Sequence, residues 1–102
     1  MMQGDSYGLP IEILKGNAVA TPEDVSNVEF MLGHVRKTYA DSEIVFSADT
    51  GEWVVHLTQN DTFMLRTVRT RAQLRVKWKS GGVEGFDFGY INVIESLSKE
   101  VL

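Results

Sequence analysis

The stretch RTVRTRAQLRVKWK, Arg66 to Lys79, narrows the fold more than any other. On a helical wheel its apolar residues Val68, Ala72, Leu74, Val76 and Trp78 spread over about 200°, with Arg71, Arg75 and Lys79 lying among them, so no helical face forms. At a period of two they separate. The five apolar residues are all even, while Arg69, Arg71, Arg75, Lys77 and Lys79 are all odd, and only Arg66 departs from the rule. Successive side chains of a strand point to opposite faces, so the stretch reads as a strand with an apolar inner face and a basic outer one. It exceeds the usual strand length of about 3–10 residues. A bend or bulge near Thr70 and Arg71, or a division into two strands, is expected.

The charge around this strand is opposite. The chain has 102 residues and a formal charge of −4. Residues 1–61 carry three basic residues (Lys15, Arg36, Lys37) against ten acidic, whereas 62–79 carry six basic and no acidic. Overall charge does not steer such a chain to nucleic acid, and any polyanion binding must come from the local patch.

The order of elements follows from period and punctuation. Residues 1–8 have no periodicity and are expected to form a flexible N-terminus, with 9–102 a single domain. LPIEILKG (9–16) reads as a short strand, with Pro10 at its start or on an edge. In TPEDVSNVEFMLGHVRKTYA, Thr21 suits an N-cap, Pro22 the first helical position, and Glu23 and Asp24 the first turn. Val25, Val28, Leu32, Val35 and Tyr39 fall within an arc of about 80° on a helical wheel. This spacing predicts a long helix over about 22–39. EIVFSA (43–48) and EWVVHL (52–57) then alternate around Asp49-Thr50-Gly51, a hairpin signal. TQNDT (58–62) and KSGGVE (79–84) read as turns, and GFDFG as a further short strand. In the tail, Tyr90, Ile94, Leu97 and Val101 lie within about 60°, which predicts a C-terminal helix over about 91–101. The alternative is a strand to Val93 followed by a helical turn. The expected class is α+β: an antiparallel meander of 4–5 strands with both helices on one face.

Specific chemistry is sparse. There is no cysteine, which excludes disulfides, thiolate metal sites and a cysteine nucleophile, and fits a reducing, cytoplasmic setting. His34 and His56 are the only histidines, and neither stands in a metal-binding spacing. GGVEGFDFG lacks both the GK[ST] ending of a phosphate-binding loop and a GxGxxG pattern. Asp41, Glu43, Asp49 and Glu52 cluster near one hairpin and read as exposed turn acids. Asn60-Asp61-Thr62 matches a glycosylation sequon of no consequence in the cytoplasm. No apolar run reaches the roughly 18–20 residues of a membrane span. No cofactor, no metal and no membrane partner are expected.

The reading that remains is a small non-enzymatic interaction domain. It binds a macromolecular partner, a protein by preference, through Arg69, Arg71, Arg75, Lys77 and Lys79 on the outer face of the sheet. Phe30, about 140° from Val25 on the wheel and so on the polar side of the expected helix, is a second candidate contact. A homodimer through a strand edge or the Phe30 face is a further expectation. Nucleic acid bound by the same basic strand is the alternative, and a ligand-binding or enzymatic pocket between sheet and helices is the third. Against all of these stands a plain structural role, in which the cations pair with the chain's own acids such as Glu43, Glu52, Glu84 or Asp87.

Overall fold

In the computed structural model, which describes residues 1–65 and 68–97, the chain is mostly strand, with one five-residue helix. The strands are β1 (Tyr7–Ile11), β2 (Leu14–Lys15), β3 (Ala18–Val19), β4 (Val25–Leu32), β5 (Val35–Thr38), β6 (Ile44–Ser47) and β7 (Glu52–Leu57). The helix α1 (Gln59–Phe63) follows, then β8 (Val68–Trp78) and β9 (Val83–Val93). Three antiparallel sheets result: β1-β7-β6, the small β2-β3 hairpin, and β5-β4-β8-β9. The inward rows of the first and last form one core. Ile11, Ile44, Trp53, Val55 and Leu57 come from the three-stranded sheet, and Val28, Phe30, Leu32, Ala72, Leu74 and Val76 from the four-stranded one. This is a sandwich, in which each sheet buries one face against the other.

The expected α+β class is therefore corrected. The segment 22–39 is not a helix but the hairpin β4–β5. Two periods were superimposed there. Val28 and Leu32 suit both a helix and a strand, but Phe30 sits between them and is 1% exposed, which only a period of two allows. Gly33 and His34 form the turn, with Gly33 at φ 58° and Leu32 facing Val35. A glycine at the first position of a two-residue hairpin turn supplies the positive φ that the strand twist demands. The capping signals at Thr21 are real but close a turn. The Asp24 carboxylate accepts from the Thr21 backbone N–H at 2.9 Å, and the Asp24 N–H donates to the Thr21 carbonyl at 2.9 Å. Branched valines at 25, 28 and 35 fit the pleated sheet better than a helix.

The helix α1 begins where the sequence predicts a turn. The Thr58 hydroxyl accepts from the Asp61 N–H at 3.1 Å, and the Asp61 carboxylate accepts from the Thr58 N–H at 2.8 Å. This reciprocal pair is a capping box. The expected C-terminal helix is likewise corrected as far as residue 97. β9 carries the chain as strand to Val93, and Ile94 bridges to Met2; residues 98–101 lie outside the described residues. The Asp49-Thr50-Gly51 hairpin stands as expected, with Gly51 at φ 72° and its N–H donating to the Ser47 carbonyl.

Trp53 is the centre of the core. Its indole N–H donates to the Ala20 carbonyl at 3.1 Å, so its polar atom is satisfied without water. Tyr39 meets it edge-on at 5.3 Å and Phe46 lies tilted at 5.0 Å. Lys37 faces inward on β5 opposite Phe30 and is 9% exposed. Its ammonium donates to Asp61 at 2.8 Å and Glu43 at 3.3 Å. Burial works against that charge, but the two carboxylates outweigh it and raise the lysine's affinity for its proton.

Because Phe30 is a core residue, Phe30→Ala is expected to cost about 3–5 kcal/mol of stability. A lowered urea midpoint with an unchanged slope would record this; an exposed Phe30 would leave the midpoint in place.

Candidate interaction surface

The outer face of the four-stranded sheet is set by β8. Thr70, Ala72, Leu74, Val76 and Trp78 are buried, and residues 69, 71, 73, 75 and 77 are exposed. The alternation read from the sequence is thus the alternation in the fold. The expected irregularity is also present, but it lies between Ala72 and Gln73, and the extra residue is Phe88 on the facing strand. Of the five predicted cations, Arg69, Arg71, Arg75 and Lys77 share this face. Lys79 lies beyond the strand end, in the turn to β9. Phe30 is on the opposite, buried face of the sheet.

The neighbouring strands decide what the cations meet. Arg75 pairs across with Glu29 on β4, and Lys77 with Asn27 and Val83. Glu29 is the hub. One carboxylate oxygen accepts from Arg36 Nε at 2.6 Å, and the other from Arg75 Nε at 3.1 Å and Nη2 at 2.9 Å. The Arg36 hydrogen bond first, then the Arg75 one, hold this carboxyl below its ordinary range. On β9, Asp87 accepts from Arg71 Nη2 at 2.5 Å and from the Gly89 N–H at 2.8 Å. The Arg69 guanidinium lies 4.3 Å over the ring of Tyr90. Lys77 makes no ion pair with any described residue. The plain structural role thus accounts for Arg71 and Arg75, through Asp87 and Glu29, and not for Lys77.

Five cations (Arg36, Arg69, Arg71, Arg75, Lys77) stand against two carboxylates (Glu29, Asp87) on this face, a formal +3 within a chain of −4. The remainder of the chain therefore carries −7. Two open hollows cross the face, of about 460 Å³ and 220 Å³, and both are lined by Glu29, Arg36 and Arg75.

Reading the sequence alone left out three members of this surface. Arg36 and Glu29 fall within the helix expected over about 22–39, and Tyr90 aligns with the apolar stripe of the C-terminal helix expected over about 91–101. The signal that would have found Tyr90 was its parity with Asn92 in the alternative strand reading to Val93. The remaining candidates do not assemble. His34 is in the β4–β5 turn and His56 is exposed on β7. No group of three or more His, Cys, Asp or Glu among the described residues is placed to hold a metal. No helix among them is long and apolar enough to cross a membrane.

The class these features define is a small domain of antiparallel sheets. Comparison with protein-family models, curated proteins and solved structures finds no match.

The depressed Glu29 carboxyl has a consequence for pH. A group whose folded pKa lies below its unfolded value contributes stability that is present above the unfolded value, here near 4.5, and is lost as pH falls through the folded one. Glu29→Gln is expected to lower the urea midpoint near neutral pH and to differ little from the parent at the acid end. A gap that is constant with pH would show that the carboxylate charge is not what binds Arg36 and Arg75.

Proposed function

We propose that the protein is a small non-enzymatic interaction domain that binds an acidic protein partner through the outer face of β5-β4-β8-β9. The observation that carries this reading is the segregation of charge: a formal +3 on one sheet face of a chain whose remainder is −7. Complementary potentials set partner choice and orientation more than raw affinity. Arg69, Arg71, Arg75 and Lys77 are the contacts, with Arg36 joining them from β5. Arg69 and Lys77 are the sharper probes, since Arg71 and Arg75 also hold Asp87 and Glu29.

One observation favours a second reading, nucleic acid. Tyr90 is 57% exposed, on the cationic face and beneath Arg69. Single-strand binders combine cations with an aromatic on the same face. Against it, a polyanion longer than the face meets the acidic remainder of the chain.

Capture from a lysate separates the two, with and without nuclease, comparing the parent with Arg69→Glu/Lys77→Glu. The expected result is a partner retained after nuclease and lost in the double variant, with binding that weakens as salt rises. Capture that disappears on nuclease treatment would put nucleic acid first. Equal capture by both proteins would remove the basic face from the function.

A further inference from the structure

The four-stranded sheet has two edges, and they are built differently. At one end β5 has four residues and turns Lys37 inward. Shortness and an inward charge are devices that keep an edge from accepting another strand. At the other end β9 runs for eleven residues, Val83–Val93, with neither lysine nor proline. Only its bulge at Phe88 interrupts it.

Part of the β9 edge already holds a strand. The Met1 amino group donates to the Asn92 carbonyl at 3.1 Å, the Ile94 N–H to the Met1 carbonyl at 2.7 Å, and the Gln3 N–H to the Ile94 carbonyl at 2.9 Å. The edge therefore accepts an extended segment in its present conformation. Among the described residues, nothing pairs with the same side of Val83–Ile91. Asn92 and Ile94 direct their backbone groups to this edge, and two-residue alternation directs those of Tyr90 there too.

The side chains around the bare stretch say what fits. Val83, Phe88 and Tyr90 are exposed, and so is Ile94 just beyond it. On the inner side, Phe86 and Ile91 pack half-buried against the core. The Phe88 ring, 44% exposed, lies 6.3 Å from that of Phe30. Apart from Glu84, which accepts from the Trp78 indole N–H at 3.3 Å, the inner face of β9 is thus an apolar overhang that a further strand would cover. On the outer side the next column inward is Arg69 and Arg71.

We propose that the bare edge of β9, Val83–Ile91, is a docking strand that takes one extended segment of the partner, with apolar residues on its inner row and acidic residues on its outer row. This rests on the acidic-partner reading and gives that partner its form. Main-chain hydrogen bonds supply affinity in strand addition, and alternate side chains supply specificity. A second copy of the chain fits less well. Its outer row, Val83, Gly85, Asp87 and Tyr90, offers Arg69 and Arg71 a single acid.

The test uses the full chain and two synthetic decapeptides, one alternating valine with glutamate and one alternating valine with lysine. The expected result is binding of the glutamate peptide alone, with amide hydrogen exchange slowed at Tyr90 and unchanged at Arg36, whose N–H faces away from β4 on the far edge. Tyr90→Pro removes one edge N–H where proline is tolerated, and should weaken binding about tenfold or more. Exchange in the unaltered protein keeps the test decisive if that variant folds poorly. Binding without protection at Tyr90, lost in Arg69→Glu/Lys77→Glu, would overturn the edge and keep the basic face. Protection at Tyr90 with affinity unchanged in that double variant would support the edge and overturn the face. Equal binding of the lysine peptide, no binding of either, or sedimentation showing a dimer that Tyr90→Pro abolishes would each overturn the proposal.

Discussion

Everything in this fold leans on the alternation of β8. The strand is bonded on both sides, by β4 and β9, so its register is held twice. A slip of one residue would exchange its faces and drive Arg69, Arg71, Arg75 and Lys77 into the core. An unpaired charge taken out of water costs several kcal/mol, and four of them would exceed the whole stability of an ordinary domain, about 5–15 kcal/mol. The apolar half of the strand makes the core, and the same register makes the basic face. Core and candidate surface are two results of one constraint.

The pairing on that face is unequal in a way that matters to a visitor. The Glu29 side chain is 18% exposed, whereas its partners Arg36 and Arg75 are 54% and 66% exposed. The carboxylate lies down in the sheet and the guanidiniums stay out in water. Exposed ion pairs contribute little to stability, about 0–1 kcal/mol, so the arrangement is better understood by what it presents than by what it holds. A partner approaching the face meets the cationic members first. Glu29 also keeps the two arginines in fixed places, which reduces the ordering a partner must impose on them.

How far the sequence could be read depended on whether one period stood alone. In β8 only a period of two separates the residues, and face, parity and cations were all legible. In 22–39 the helical spacing of Val25, Val28, Leu32, Val35 and Tyr39 was genuine, yet it was also what two strands joined at Gly33 leave behind. Phe30 held the answer: an aromatic on a polar helical face is an anomaly, and on β4 it is an ordinary core residue. Capping signals misled at Thr21 because the Thr–Asp pairing that starts a helix also closes a turn. They were passed over at Thr58, where Asp61 completes both the cap and the Lys37 ion pair. The helical spacing of Tyr90 with Ile94, Leu97 and Val101 hides its place on the outer face of β9, and with it the aromatic member of the surface.

The choice between a compact acidic partner and a long polyanion turns on distance. At physiological salt, charges more than about 8 Å apart in solvent are largely screened. The molecule is 24 and 21 Å across its shorter axes. A partner confined to the sheet face is therefore within reach of its five cations and two acids, and is screened from those charges of the remainder that lie farther than this from it. A polyanion that overruns the face loses that protection, because its ends come within a screening length of the acidic remainder. Strand addition at β9 lies on the favourable side of this line. It uses backbone hydrogen bonds, which carry no net charge, and needs the cations only for the outer row of side chains. The more the partner relies on the edge, the less the acidity of the rest of the chain opposes it.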